Sequence, residues 1–228
     1  MAALGLLAGT VPGPAPPPHE DGLLLKAQKP VAHLLRVDPA FQRIVASAPD
    51  FAVHGRRQGD YFNALVRAIV YQQLAGKAAA AIHRRFIAIF GAEPGPEQVL
   101  EATEAQLRGA GLSNAKFLAI RDLALKATDG TVPLERIEKL ADDEIVARLS
   151  AVRGIGRWTA EMFLIFQLGR QDVWPVDDLG VRRGYAVIHG LGDWPRPKEL
   201  QALGEIYRPY RTAAAWYCWR TADTLLPE

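Results

Sequence analysis

An all-α fold is predicted for this 228-residue chain by three observations. Apolar residues recur at helical spacing over long stretches, strand-like alternation is scarce, and the breaks between stretches hold the Gly, Pro and Asp residues that end or cap helices. The length suffices for one substantial core or two small lobes.

Residues 1–22 are dominated by Ala, Gly and Pro around VPGPAPPP. That composition supports neither helix nor strand, so 1–22 is read as a flexible tail and 23–228 as the folded domain. Asp38-Pro39 open a helix through Val45, which Ala48-Pro49 close. Asp60 caps a long helix, YFNALVRAIVYQQ, with Tyr61, Leu65, Ile69 and Gln72 on one stripe. Its polar end, Gln72-Gln73, precedes Leu74-Ala75-Gly76, and a helix over 77–90 carries His83, Arg84 and Arg85 on its outer side. By itself this reads as a helix hairpin with a solvated turn. Residues 94–96 form a loop, and two more helices follow. Within them LRGAGLSNAKFLAI (107–120) echoes VRGIGRWTAEMFLI (152–165) without gaps, an offset of 45 residues (152 minus 107). One such pair is thin evidence for a repeat, and chance or shared helix-turn geometry accounts for it. A second hairpin presenting Lys116 to a nucleic-acid backbone is the alternative. Residues 126–132 read as a loop, 134–151 as carrying the chain to the Gly154-Ile155-Gly156 motif, and 195–219 as a helical segment with an aromatic tail: Tyr207, Tyr210, Trp216, Tyr217 and Trp219.

The chain is organised around 147–184, ARLSAVRGIGRWTAEMFLIFQLGRQDVWPVDDLGVRRG. Ile145, Leu149 and Val152 share one face of a short helix that enters Gly154-Ile155-Gly156. These glycines permit a very tight turn and the close approach of backbone N–H groups to a ligand. The next helix, 157–168, is apolar on nearly every side and belongs at the centre of the core. Its first turn presents unpaired N–H groups beside Arg153 and Arg157, an arrangement that suits a phosphate. A plain αα-hairpin explains the same glycines. Gly169 ends this helix, Trp174-Pro175 mark a bend, and Asp177-Asp178 open a helix whose Val181, Tyr185 and Ile188 share one face. Both acids fall close to that face. If Asp177 caps the helix, Asp178 points along the inward face without a backbone partner and is a functional candidate; capping alone is the other reading.

The net charge of +2 is only a weak pointer to nucleic acid, which needs local rather than total basicity. A single cysteine, Cys218, excludes a disulfide framework and any four-cysteine metal or iron–sulfur site. No apolar run reaches membrane-spanning length and no secretory n-region is present, so a soluble intracellular protein without a membrane partner is expected.

GIGRWTAEMF followed by PVDDLGVRRGY strongly resembles the helix-hairpin-helix DNA glycosylase superfamily, and within it the DNA-3-methyladenine glycosylase II branch, across about residues 60–219. In that family a G-[IV]-G hairpin precedes an aspartate with a hydrophobic residue three positions on and a basic one five on. Asp178, Val181 and Arg183 fit this register, and Asp177 fits it less well. The resemblance implies a two-lobed helical fold with the active-site cleft between the lobes. It also implies double-stranded DNA with damaged bases as partner, a monomer, no cofactor and no metal, and a location in the cytoplasm or nucleoid of a prokaryote or the nucleus of a eukaryote. Asp178 takes the catalytic role, while Gly154, Gly156, Arg153 and Arg157 hold the DNA backbone. Gln73, with Leu74 beside it, fills the gap left by a flipped nucleotide. Trp158, Trp219 and Met162 line the base pocket, Trp219 matching a family tryptophan near the segment Arg208-Pro209-Tyr210-Arg211. Met162 replaces a family tyrosine, so the pocket differs in shape and polarity, and Ala75 replaces a common Ser, removing a hydroxyl contact. Strand-nicking relatives carry a lysine two residues after the second glycine; Trp158 stands there, which implies a monofunctional enzyme that leaves an abasic site.

Such an enzyme must extrude the nucleotide, at a cost of about a few kcal/mol. As the N-glycosidic bond breaks, positive charge develops on the sugar, and a carboxylate near C1′ stabilises it and can activate water. For Asp178, the helix N-terminus favours the ionised form and burial opposes it. Electron-poor alkylated purines leave more readily and stack better on indole than normal bases, so 3-methyladenine and 7-methylguanine are the expected substrates. A non-catalytic DNA-binding or damage-sensing protein that clamps phosphates with the hairpin explains the glycines and arginines, but not Asp178 and the tryptophans. An RNA or nucleotide hydrolase finds neither a P-loop nor a metal-ligand cluster in the chain.

Overall fold

Side-chain caps or prolines set where several helices of the computed structural model begin; the structure describes residues 28–48, 51–53 and 60–223. The 1–22 tail and Pro49 lie outside them. The first helix, α1 (Gln28–Val37), leads through a 3-10 turn (Pro39–Phe41) into α2 (Gln42–Ser47). After these come α3 (Tyr61–Tyr71), α4 (Gly76–Phe90), α5 (Pro96–Glu101), α6 (Glu104–Gly109) and α7 (Asn114–Thr128). A 3-10 turn (Leu134–Lys139) precedes α8 (Asp142–Ser150), α9 (Arg157–Phe166), α10 (Leu179–Ile188) and α11 (Pro197–Leu203), and another (Gly204–Tyr207) precedes α12 (Arg211–Asp223). The described residues contain no strand. Asp60 accepts the N–H of Asn63, Ser113 that of Lys116, and Thr103 pairs reciprocally with Gln106, each satisfying an otherwise unpaired donor of a first turn.

Four local expectations are corrected. The helix predicted over 157–168 stops at Phe166, two residues short of Leu168, and α7 runs through Thr128, so residues 126–128 are helical where a loop is predicted. Within 134–151, to which no single element is assigned from sequence, a break at Leu140-Ala141 precedes α8, whose acidic first turn Asp142, Asp143 and Glu144 supply. The segment 195–219 breaks where Pro209 cannot continue a helix. His83 is not on the outer side of α4: it is half-buried against Tyr71, and its Nε2 is enclosed without a partner.

Packing sorts the helices into two groups. One is α3 to α7, in which α3, α5 and α6 lie on α7, and α4 lies on α3 and α6. The other contains α1, α2, α10, α12 and the adjoining 3-10 turns, with α10 against α12 its most extensive pair. The hairpin partners α8 and α9 pack on each other, and α9 bridges the groups through its aromatic side chains. Phe163 meets Tyr61 of α3, and Phe166 stacks on Trp219 of α12. Residues 159–165 of α9 are all buried, as a helix apolar on nearly every side requires.

The second group is closed by a polar tie. Asp38 Oδ2 accepts from Tyr207 Oη at 2.6 Å and lies 2.8 Å from His189 Nε2, while His189 Nδ1 lies 2.9 Å from the Tyr185 carbonyl. Burial acts against the Asp38 carboxylate, but the bonds from Tyr207 and His189 outweigh it and hold its pKa below the ordinary value.

Candidate functional site

Asp178, not Asp177, caps α10: its Oδ1 accepts the N–H of Val181 at 2.8 Å. Asp178 thus has the backbone partner that it would lack if Asp177 were the cap. The chain bends through Trp174 and Pro175 so that Asp177 falls outside the first turn and is exposed. Capping and a place in the site coexist in Asp178. Oδ1 also accepts from Trp219 Nε1 at 2.9 Å, and Oδ2 accepts from Trp158 Nε1 at 2.7 Å. Two indoles from α9 and α12 therefore converge with a backbone N–H on one carboxylate, at the seam between the helix groups. With two lone-pair positions per oxygen, Oδ1 is filled and Oδ2 keeps one acceptor position.

The neighbouring residues make room for this arrangement. A Cβ on Gly180 would lie 2.9 Å from Trp219 Cδ1 and 3.1 Å from Asp178 Oδ1, so only glycine lets the indole reach the cap. Trp219 stacks on Phe166 with ring centroids 5.7 Å apart. Trp158, Met162 and Phe166 follow one another at four-residue steps along one face of α9. Met162 is buried one turn below Trp158, whereas both indoles stay partly exposed.

The hairpin enters α9 just before Trp158. Gly154 adopts φ +77°, a left-handed conformation that an L side chain strains, and Gly156 is an extended N-cap without a side-chain cap. The first N–H groups of α9 thus remain at an uncapped N-terminus. The Arg153 backbone N–H is not among the available donors, since it donates to Asp122 Oδ2 of α7 at 2.7 Å; only the exposed side chain is left for a ligand. The α3–α4 turn is fastened alongside. Gln72 Nε2 donates to the Gly154 carbonyl at 2.9 Å, and exposed Gln73 holds a left-handed φ of 55° at the tip next to Leu74. Lys116 Nζ donates to the carbonyls of Val70 and Gln72 at 2.8 and 2.9 Å. Its ammonium therefore closes the end of α3 instead of facing outward, and burial pulls its pKa below the ordinary value.

The echo between 107–120 and 152–165 extends to the order of elements but not to the turn itself. Both segments form helix, turn, helix, but the left-handed residue is Gly111, the second glycine, in one and Gly154, the first, in the other.

Glu161 belongs to this region although sequence reasoning passed over it. It is 3% exposed on α9; Oε1 accepts from Arg157 Nε at 2.8 Å, and Oε2 is buried with no partner. Burial pushes its carboxyl up to about 7, against the pull of Arg157 and with a further push from Asp177 and Asp178. The signal was one acid inside an apolar run. Phe166 was legible from its spacing to Trp158 and Met162. Gly180 and Lys116 acquire their roles only from distant partners. Among the described residues, no group of three His, Cys, Asp or Glu side chains is arranged to hold a metal ion, and no helix is long and apolar enough to cross a membrane.

The frame and the site gather two features around one buried helix: an uncapped, arginine-flanked hairpin at its start and an acid bracketed by indoles on its side. That is the design of a helix-hairpin-helix protein. The family model for the HhH-GPD superfamily base excision DNA repair protein matches residues 66–209. DNA-3-methyladenine glycosylase 1 of Schizosaccharomyces pombe is 36% identical over 208 residues, covering 90% of this chain and 91% of that protein. A solved structure of the 3-methyladenine DNA glycosylase of that yeast with abasic DNA is similar with a TM-score of 0.72 and 37% identity, covering 86% of this chain and 97% of that one. A DNA-3-methyladenine glycosidase from Bacillus halodurans gives a TM-score of 0.79 at 34% identity, covering 86% and 90%. This chain belongs to the HhH-GPD superfamily of base excision DNA repair proteins, in its 3-methyladenine glycosylase branch.

Proposed function

We propose that this protein hydrolyses the N-glycosidic bond of alkylated purines flipped out of duplex DNA, acts as a monomer, and leaves an abasic site without cutting the strand. The observation that carries this reading is the Asp178 carboxylate held between Trp158 and Trp219 with one acceptor position on Oδ2 open. The hairpin N–H groups and Arg157 take the backbone phosphate, Gln73 and Leu74 occupy the space the nucleotide leaves, and the extruded base stacks on indole. Asp178 then faces the cationic sugar as the bond breaks and accepts a proton from water, or orders it. A purely DNA-binding role uses the hairpin but gives the indole-bound acid no task.

Incubating the protein with single-lesion duplexes is expected to release 3-methyladenine and 7-methylguanine. No adduct should be trapped by borohydride and no strand break should appear before hot alkali, because Trp158 stands at the lysine position and Lys116 is held by two carbonyls. Efficient removal of uracil or an oxidised base, with neither methylated purine released, would overturn the substrate assignment. A borohydride adduct lost on mutating Lys77 or Lys116 would overturn the monofunctional one.

Stacking on Trp219 sets a second expectation. Base–aromatic stacking is worth about 1–3 kcal/mol, so Trp219→Ala should lower excision about tenfold to a hundredfold. Trp219→Phe, which keeps a ring but loses the N–H to Asp178, should lose less. If the two variants were equally poor in single-turnover assays, the hydrogen bond and not the stacking would be the role of this side chain.

A further inference from the structure

We propose that Glu161 is a positioning residue that turns Arg157 toward a DNA phosphate and takes up a proton when the phosphate binds. This rests on the reading that the hairpin meets DNA. Glu161 Oε1 holds only the Nε of Arg157, whose side chain is 56% exposed and whose two Nη groups have no partner among the described residues. The fork needed for bidentate phosphate binding is thus aimed outward from a fixed anchor.

The proton follows from the other half of the carboxyl. Oε2 is buried without a partner, so the guanidinium on Oε1 is the chief support for a negative charge there. The other charged groups acting on it, Asp177 and Asp178 from the loop before α10, both oppose it. A bound phosphate neutralises Arg157, and a buried carboxylate without its counter-charge becomes the neutral acid. Oε1 still accepts from Nε, and the proton, drawn from the buffer, sits on Oε2.

The direction of the pH effect is fixed by where Glu161 titrates. In the free protein its pKa is about 7, and phosphate raises it further. Above pH 7 the free protein is largely ionised at Glu161 and the complex less so, so the complex holds more protons. Affinity then falls with rising pH, by up to about tenfold per pH unit for one proton. Well below pH 7 Glu161 is neutral in both states and this dependence disappears.

The test is calorimetric titration of a duplex carrying a tetrahydrofuran abasic-site analogue, in two buffers of different ionisation enthalpy at pH 8, together with Kd from pH 6 to 8.5. Wild type should take up more protons than Glu161→Gln, up to one per duplex bound, and its Kd should rise with pH where that of the variant stays flat. Gln is isosteric and still accepts from Nε, so the variant should bind. Arg157→Gln should weaken binding and also lose the proton uptake, since its Glu161 is already neutral. Binding with the same uptake in wild type and Glu161→Gln, or undiminished uptake in Arg157→Gln, overturns the proposal alone. No binding of the duplex at any pH overturns the DNA-interface reading and the proposal with it.

Discussion

Replacing Asp178 by Asn is expected to slow base excision by on the order of a thousandfold or more while leaving duplex binding within about a few fold of wild type. The carboxylate oxygens are unequal. Oδ1 accepts from Val181 N–H and Trp219 Nε1, and Oδ2 from Trp158 Nε1 alone. An amide keeps its oxygen at the doubly bonded position and turns its NH₂ toward the Trp158 N–H, donor against donor. The cap therefore survives, Trp158 loses its partner at a cost of about 1–3 kcal/mol, and the charge proposed to answer the sugar cation is gone. Asp177→Asn should change little, because Asp177 is exposed and does not cap α10. Single-turnover excision rates, with binding of an abasic-analogue duplex measured alongside, decide the matter. Near-wild-type turnover in Asp178→Asn would remove Asp178 from the chemistry.

Much of this site was legible because its parts are local. Glycines flanking Ile155 mark the hairpin, the unbroken apolar run after them marks the buried helix, and a polar pair at the end of α3 marks the turn carrying Gln73. The pairings were not legible. A helical wheel locates Asp178 relative to α10, but its indole donors come from residues 20 and 41 positions away, on two other helices. For the same reason the wheel could not choose between Asp177 and Asp178 as cap: the bend at Trp174 is fixed by its Nε1 bond to the Leu200 carbonyl and by Gly204, where a Cβ would lie 2.1 Å from that nitrogen. Lys116 reads as a surface cation beside a hairpin until α3 ends against it. Basic residues and glycines report what they can do; the fold decides which partner they do it with.

The largest expected loss of stability is at Gly184, where Ala should destabilise the protein by about 3 kcal/mol or more. A Cβ there would lie 1.9 Å from the Cys218 carbonyl oxygen and 2.5 Å from its carbon, and a main-chain group within α12 cannot rotate aside as a side chain can. The α10–α12 pair must separate instead, and it is the most extensive helix contact in the molecule. Against a typical domain stability of about 5–15 kcal/mol, this is a large share. Gly109→Ala is the control: its Cβ meets nothing within 4 Å and its backbone is helical, so a gain of about 0.4–1 kcal/mol is expected there. The consequence reaches the chemistry, since Asp178 opens α10 and Trp219 follows Cys218 on α12. Spreading the pair draws Trp219 Nε1 away from Asp178 Oδ1, so the excision rate of the folded fraction should fall while Asp122 still holds the hairpin and duplex binding persists. Denaturant midpoints and single-turnover rates on both glycine variants test this. A Gly184→Ala protein as stable as wild type would mean that α10 and α12 do not meet as closely as described.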